Sequence, residues 1–157
     1  MFNTSKVTDE RWMRLALEQA KQAESEGEVP VGAVVMIDEK IIGQGRNQSL
    51  GFHDPSAHAE IMAMRQAGKT LSNYRLPGST LYVTLEPCMM CAGAILHARI
   101  ERVVFGTRDE KTGAVGSIAN LLENPLANHR CRVTADILSE QSRLLLANFF
   151  QQRRQSG

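Results

Sequence analysis

Two short segments of the sequence carry side chains of the kind from which metal centres are built. His58 and Glu60 form a His-x-Glu segment, and Pro87 is followed by Cys88 and Cys91 in a Cys-x-x-Cys segment. Three nitrogen and sulfur ligands suit a tetrahedral zinc ion whose fourth position is left to water, as in catalytic sites. Glu60 is too close to His58 in the sequence to serve readily as the fourth ligand, but its carboxylate can extend over the open coordination position. The pair of segments predicts a catalytic zinc site with a carboxylate placed to shuttle protons.

Two helices must bring these segments together. Asp54-Pro55 has the pattern of an N-cap followed by proline at the first helical position, which predicts a helix from there to about Gly68. The β-branched run from Ser79 to Leu85 predicts a strand, and the small residues after Cys88 predict a second helix. If right-handed crossovers place the flanking strands in one sheet, both helices begin at the same edge. His58 then reaches the two cysteines, whose thiolate forms are favoured at a helix N-terminus.

The rest of the chain alternates between helical and strand patterns, which predicts an α/β fold. Apolar residues at helical spacing predict the helices, and runs with β-branched residues predict the strands. The further predicted elements are a helix from Thr8 to Glu24, a hairpin of Val31 to Ile37 and Ile41 to Gly45, a strand from Ile100 to Phe105, a short helix near Ser117 to Leu122, a strand from Arg132 to Thr134, and a helix from Ile137 to Arg154. Met62, Met64, Met89 and Met90 are assigned to helix packing.

Length and composition predict one globular domain over residues 1–157. The chain is 43% hydrophobic and 22% charged, and it has no internal repeat, which excludes disordered, collagen-like and coiled-coil classes. No apolar run approaches the length of a membrane span, and the segment from Met1 to Lys6 lacks the apolar region of a secretory signal. We therefore expect a cytoplasmic protein. Cys131 is expected to be a buried core thiol.

The net charge of +1 hides a local asymmetry. After Glu140 the chain contains no acidic residue, whereas Arg143, Arg153 and Arg154 remain. This distribution predicts a basic patch on the last helix, with two adjacent aromatic rings at Phe149-Phe150.

Each chemical segment also has an ordinary interpretation. A single His-x-Glu is a surface pair in most helices, and a single Cys-x-x-Cys in a reducing compartment can be a redox pair. The order His-x-Glu followed by Pro-Cys-x-x-Cys, each at a helix start, is the signature of the zinc nucleobase deaminases.

Beyond that signature, further blocks of the chain resemble the bacterial tRNA-specific adenosine deaminase family over nearly its whole length. These blocks are Glu28-Val-Pro-Val-Gly-Ala33, Asn47, Asp54-Pro55, His58-Ala-Glu-Ile-Met-Ala63, Asn73-Tyr-Arg-Leu76, Thr80 to Ala94, Arg102-Val-Val-Phe-Gly106, Arg108 to Ala114, and Phe149-Phe-x-x-Arg-Arg154. The resemblance implies a three-layer α/β/α cytidine-deaminase-like fold with a central mixed five-stranded sheet. It also implies one zinc ion per subunit and a cytoplasmic homodimer that converts the wobble adenosine of a tRNA anticodon stem-loop, chiefly of an arginine tRNA, into inosine. Neither a membrane nor DNA is an expected partner.

The resemblance assigns roles to individual residues. His58, Cys88 and Cys91 would hold zinc, and Glu60 would be the general acid and base. Phe149 and Phe150 are adjacent, so one helix face cannot bury both rings, and we expect one to pack in the core while the other stacks on a nucleotide. The substrate-binding positions implied are the Asn47 amide for the flipped base, the backbones of Val29 and Glu86 at the pocket edges, Asp109 and Lys111 on the RNA backbone, and Phe149, Phe150, Arg153 and Arg154 on the last helix.

Two positions depart from the family pattern, Arg46 before Asn47 and Ser49 after it. Because of these two departures, the resemblance does not define the edge of the nucleoside pocket. A sibling deaminase of free cytidine, cytosine or guanine is an alternative with the same metal site. A nonenzymatic zinc or RNA-binding module is another, and it would require a fourth protein ligand.

Overall fold

A computed structural model of the chain describes residues 4–123 and 129–156, so the first three residues of the N-terminal segment considered above lie outside it. None of the helices in these ranges combines the length and apolar character needed to cross a membrane. The elements are α1 (Thr4–Ser25), β1 (Gly32–Ile37), β2 (Lys40–Arg46), α2 (Ser49–Phe52), α3 (Ala59–Leu71), β3 (Thr80–Leu85), α4 (Met89–Ala98), β4 (Arg102–Thr107), β5 (Arg132–Thr134) and α5 (Ser139–Ser156).

A mixed five-stranded sheet with the order β2-β1-β3-β4-β5 forms the middle layer. Strand β1 is antiparallel to both of its neighbours, whereas β3, β4 and β5 are parallel. Helices α3 and α4 cover one face over the larger apolar core, and α1 covers the other over a smaller core. Helix α5 packs against β4 and α1. The predicted three-layer α/β/α fold with a mixed five-stranded sheet is confirmed.

Strand direction places the starts of α3 and α4 together. Strands β2 and β3 are both antiparallel to β1, so they run in the same direction. Helix α3 follows β2 after the short helix α2, and α4 follows β3 directly. Both helices therefore begin near the carboxyl ends of parallel strands, at one edge of the sheet, as the sequence predicts.

Close backbone packing holds α3 against β2. A Cβ atom added to Gly43 would lie 2.3 Å from the Ala63 carbonyl oxygen, and one added to Gly45 would lie 2.5 Å from the Ala63 nitrogen. The facing residues of α3, Ala59, Ala63 and Ala67, are fully buried. Glycine and alanine are required here because larger side chains would separate the helix from the sheet.

A buried ion pair fastens α1 to the opposite face. The Asp9 carboxylate accepts two hydrogen bonds from the Arg102 guanidinium, at 2.9 and 2.6 Å, and one from the Tyr82 hydroxyl at 2.9 Å. Arg102 also donates to the Thr134 hydroxyl at 2.8 Å. The cluster thus links the helix to three neighbouring strands.

The predicted start of α3 is wrong by four residues. Asp54 does not cap a helix, because its carboxylate accepts hydrogen bonds from the backbone N–H and hydroxyl of Ser56 at 2.8 and 2.7 Å and closes a local turn. The N-cap is His58, and α3 runs on to Leu71 instead of ending at Gly68.

Two further expectations are corrected. The segment predicted as a short helix from Ser117 to Leu122 is a loop with an isolated bridge between Val115 and Asn120. Met89 and Met90 are not packed inside: their exposed fractions are 61% and 39%. A periodic pattern places a residue on a helix face but does not say whether another element covers that face.

The glycine contact between β2 and α3 can be tested by Gly45→Ala. The added methyl group overlaps the α3 backbone, so the free energy of unfolding should fall by about 1–3 kcal/mol in urea titration. Gly93→Ala in α4 is the matched control, because a Cβ atom there meets nothing within 4 Å. This variant should have a free energy of unfolding equal to or above that of the wild type. A Gly45→Ala protein as stable as the wild type would contradict the proposed close contact.

Candidate active site

The two predicted metal-ligating segments meet at the sheet edge. His58 is the N-cap of α3, Cys88 is the N-cap of α4, and Cys91 lies in the first turn of α4. The His58 Nδ1 atom is 3.6 Å from the Cys88 sulfur and 3.6 Å from the Cys91 sulfur. All three donor atoms lie within 4.8 Å of one another.

The spacing of these donors fits zinc. Zinc binds imidazole nitrogen at about 2.0–2.1 Å and thiolate at about 2.3 Å, so tetrahedral geometry separates the two ligand atoms by about 3.6 Å. Within the described ranges, no fourth histidine, cysteine or carboxylate joins the cluster. The buried thiol of Cys131 remains outside it, as predicted for a core residue. The donor set therefore fits a zinc ion with one position left for a non-protein ligand.

The thiol groups of the two cysteines have pKa values shifted in opposite directions. Hydrogen bonds from the Cys91 thiol and from His58 hold the pKa of Cys88 far below its ordinary range, at about 3. The hydrogen bond with Cys88 and burial raise the pKa of Cys91. The cluster is thus partly ionised, and full metal binding would displace the remaining proton.

Glu60 lies beside the cluster in the first turn of α3 and lines the same pocket as His58 and Cys88. Its side chain is buried, and this burial raises its pKa to about 7. A carboxyl group in that range can hold or release a proton near neutral pH.

A pocket of about 1060 Å³ opens from the cluster. Its walls are strand ends, the loop 107–112 and the inner face of α5. The pocket contains predicted site residues Val29, Asn47, His58, Glu60, Glu86, Cys88, Asp109, Lys111, Phe150, Arg153 and Arg154. Lining residues that the sequence-based assignment missed include Thr107, Arg108, Arg143 and Leu146. Arg143 and Leu146 could have been found from the sequence, because their spacing from Phe150 along α5 places them on the same helix face.

Asn47 is oriented by its own hydrogen bonds. Its side-chain oxygen accepts from the Ala59 N–H at 2.8 Å, at the start of α3. This leaves the amide NH₂ as the group available to donate to a ligand. The neighbouring Arg46, which departs from the family pattern, makes two hydrogen bonds to Glu26 at 2.8 and 3.0 Å.

Glu86 contributes more than the backbone edge predicted for it. Its buried carboxylate accepts from the backbone N–H groups of Asp109 at 3.1 Å and of Val115 and Ser117 at 3.0 Å each. Gly113 lies so close that a Cβ atom would be 2.3 Å from the Glu86 carboxyl carbon. The side chain therefore anchors the loop that forms one wall of the pocket, and it is adjacent in sequence to the Pro-Cys segment.

A second buried carboxylate anchors the opposite loop. Glu28 accepts from the N–H groups of Leu50 and Gly51 at 3.1 and 2.8 Å, which holds α2 close to Asn47. Within the first loop, Asp109 accepts from the Lys111 N–H at 3.1 Å, so its carboxylate also shapes the turn that carries it.

The two aromatic and two basic residues near the end of α5 differ in exposure and in their contacts. Phe149 is 7% exposed and Phe150 is 44% exposed, so one ring packs inside and the other faces the pocket. The Arg153 guanidinium lies 4.8 Å from the centre of the Phe149 ring and donates to the Gly27 carbonyl. Arg153 thus makes contacts within the protein, whereas Arg154 is exposed at the rim of the pocket.

Comparison with known proteins identifies similar chains. The family model of MafB19-like deaminases matches residues 7–154. The tRNA-specific adenosine deaminase of Haemophilus influenzae is 55% identical over 148 residues, which are 94% of this chain and 86% of that protein. The tRNA-specific adenosine deaminase of Bacillus subtilis is 44% identical over 146 residues, 93% of this chain and 91% of that one.

A solved structure from a study of A-to-I editing by tRNA:A34 deaminases at the wobble position is also similar. It has a TM-score of 0.84 and 42% sequence identity, and the match covers 87% of this chain and 99% of that chain. The likeness therefore extends over most of the chain.

The composition of the cluster predicts that Cys91→Ser loses zinc. A serine hydroxyl is a poor replacement for a thiolate, so the purified protein should retain far less metal than the wild type. Cys131→Ser should keep the wild-type content, because that thiol lies outside the cluster. Metal analysis of both proteins after dialysis makes the comparison, and wild-type zinc in Cys91→Ser would exclude Cys91 as a ligand.

Proposed function

This chain belongs to the tRNA-specific adenosine deaminase family, and we propose that its substrate is the wobble adenosine of a tRNA anticodon stem-loop, chiefly that of an arginine tRNA. The observation that carries this proposal is the His58, Cys88 and Cys91 cluster with buried Glu60 beside it, at the base of a pocket large enough for a nucleotide and its neighbours. The family match over residues 7–154 supports one deaminase domain over residues 1–157. A tRNA substrate supports a cytoplasmic location.

The reaction exchanges the 6-amino group of adenine for oxygen. A C–O bond forms at C6, the C–N bond breaks, and adenosine and water give inosine and ammonia. Glu60 takes one proton from the attacking water and delivers it to N1, then takes the second proton from the hydroxyl group formed at C6 and delivers it to the departing amino group. Its position in the first turn of α3, buried and beside the cluster, supports this role.

His58, Cys88 and Cys91 would hold one zinc ion per subunit, whose Lewis acidity makes water acidic enough to supply the nucleophile near neutral pH. Asn47 would orient the base, because its oxygen is held by Ala59 and its NH₂ group remains to donate.

The remaining pocket residues would hold the nucleotide and its flanking backbone. Val29 and Glu86 line the pocket and would form its edges through their backbones, and Phe150 offers an exposed ring on which a base can stack. Asp109 and Lys111 lie on the loop that Glu86 anchors, close enough to the pocket for ribose and phosphate contacts. At the rim, Arg153 and Arg154 supply positive charge from α5, and the buried Phe149 ring lies against the Arg153 guanidinium.

Two features argue against the alternatives. A structural zinc site normally has four protein ligands, whereas this cluster has three in the described part of the chain. A deaminase of free cytidine, cytosine or guanine needs room for one base or nucleoside, whereas this pocket extends along α5 past Phe150 to Arg154.

A substrate panel tests the function. The zinc-loaded protein is incubated with an anticodon stem-loop bearing wobble adenosine, with free adenosine and with free cytidine, and nucleosides are identified by mass spectrometry. We expect inosine from the stem-loop alone. Uridine from cytidine, or no product from any substrate, would overturn the proposal.

Glu60→Gln serves as the catalytic control in that assay. Glutamine has nearly the same shape but cannot accept and return a proton, so turnover should fall by about 10²–10⁴-fold. Zinc content and thermal midpoint should stay close to wild type, which separates loss of chemistry from loss of fold. A variant with near wild-type turnover would remove Glu60 from the mechanism.

We further propose a homodimer formed through α3 and α4. A groove of about 800 Å³ lies between these helices, with Ile61, Met64, Tyr74 and Ala94 among its lining residues. Met89 at the start of α4 is also exposed. A second copy of the chain would cover this apolar surface, in agreement with the homodimer that the family resemblance implies.

Sedimentation velocity at micromolar concentration should give about twice the chain mass of 17.4 kDa. Ala94→Arg places a charge in the groove and should shift the protein toward monomer. Val7→Arg changes an exposed apolar residue of α1 on the other side of the sheet and should leave the dimer intact. A wild-type monomer under these conditions would contradict the proposal.

A further inference from the structure

Arg143 lines the pocket but has no role in the function described so far. It lies on α5 three residues before Leu146, seven before Phe150 and eleven before Arg154, and all four line the same pocket. Residues at these intervals share one face of a helix. The inner face of α5 therefore presents positive charge on both sides of the exposed Phe150 ring.

Within the part of the chain that the structure describes, Arg143 is paired with Glu140 alone, through an exposed contact. Its Nε and a terminal nitrogen donate to the two carboxylate oxygens of Glu140 at 3.1 and 2.5 Å. The two side chains are 55% and 66% exposed. Exposed ion pairs of this kind contribute little free energy, so a stronger anionic ligand can displace the carboxylate.

The guanidinium group suits a phosphate. Its planar arrangement of donors binds two oxygens of one anion at once, and Glu140 already occupies it in this way. The pair with Glu140 thus shows the Arg143 guanidinium binding two oxygens of one anion at the pocket lining, and a phosphate group can be bound in the same way.

The charges around Arg143 favour an anion as well. The other cationic residues that line the pocket are Arg108, Lys111, Arg153 and Arg154. Of the lining carboxylates, Glu60 and Glu86 are buried, and the carboxylates of Glu86 and Asp109 accept hydrogen bonds from loop N–H groups. Only Glu110 adds a further acidic side chain to the described lining.

We propose that Arg143 is a phosphate-binding residue that exchanges Glu140 for a backbone phosphate of the RNA strand flanking the reacting nucleotide. The inference rests on the proposed function, since it takes RNA as the ligand. It adds a contact point on α5 at the end of the pocket opposite Arg154, so that the strand is held on both sides of Phe150.

Salt dependence of binding gives the primary test. Each phosphate neutralised in a single strand contributes about 0.7 to the slope of log affinity against log salt. We expect Arg143→Ala to lower that slope by about 0.7 between about 50 and 200 mM salt, for the zinc-loaded protein and the anticodon stem-loop. At the lower salt its KM should rise about two- to fivefold with kcat nearly unchanged. Arg143→Lys should keep the slope, because it keeps the charge.

Glu140→Gln tests the exchange itself. Removing the competing carboxylate should tighten stem-loop binding by about twofold. This gain should vanish in Glu140→Gln/Arg143→Ala, which should bind like Arg143→Ala. A gain that persists without Arg143 would overturn the exchange, since it would reflect only the loss of a negative charge.

The exposed pair of Arg132 and Glu101 is the matched control. Its atoms are 3.2 Å apart, the side chains are 72% and 53% exposed, and Arg132 pairs with the first residue of β4, at the sheet edge opposite the cluster. Arg132→Ala and Glu101→Gln should leave the salt slope and KM unchanged.

The outcomes separate the two proposals. Wild-type protein that forms no inosine in the stem-loop overturns the proposed function. Inosine formation together with an Arg143→Ala salt slope equal to that of wild type overturns the phosphate contact alone. A slope reduced equally by Arg143→Ala and Arg132→Ala also overturns it, because the effect would then come from net charge.

Discussion

The meeting of two helix N-termini at one sheet edge is the constraint on which the site depends. His58 and Cys88 are the N-caps of α3 and α4, and neither segment alone holds enough ligands for a metal. They meet because β2 and β3 run in the same direction on either side of β1. The distance between them depends in turn on Gly43 and Gly45, which let the α3 backbone settle directly on β2. Small residues outside the cluster therefore help to position the helix start that carries His58.

Buried carboxylates organise the rest of the molecule around that edge. Asp9 fastens α1 to the sheet, Glu28 holds α2 beside Asn47, and Glu86 holds the loop 107–117 against the Pro-Cys segment. Each accepts several hydrogen bonds, which offsets the cost of removing a charged group from water. Glu60 differs from them because burial raises its pKa to about 7. Three of these four carboxylates serve positioning, and the fourth is the one that we propose exchanges protons.

Sequence patterns predicted the strands and most helices closely, and they failed where a local pattern had two physical solutions. Asp54-Pro55 has the composition of a helix start, but the carboxylate instead closes a turn with Ser56. Ser117 to Leu122 contains apolar residues at short intervals, but it is a loop in which Asn120 bridges back to Val115 and the N–H groups of Val115 and Ser117 bind Glu86. Met89 was assigned to packing, yet no element within the described chain covers it. In each case a hydrogen bond or a neighbouring surface decided the outcome.

The sequence by itself determined the candidate metal-ligand types, their order and the carboxylate beside them, because these depend on side-chain chemistry, and Pro87 marks the start of α4 locally. It also predicted that Phe149 and Phe150 could not both be buried, since adjacent residues lie on different parts of a helix surface. Only the tertiary structure decided that Glu86 anchors a loop, that Arg153 is engaged by Gly27, and that Arg143 faces the pocket. The Glu86 and Arg153 contacts join residues far apart in the chain, and such contacts leave no periodic or local signal in the sequence. For Arg143 the helical spacing groups it with Phe150, but only the packing of α5 against the sheet places that face on the pocket.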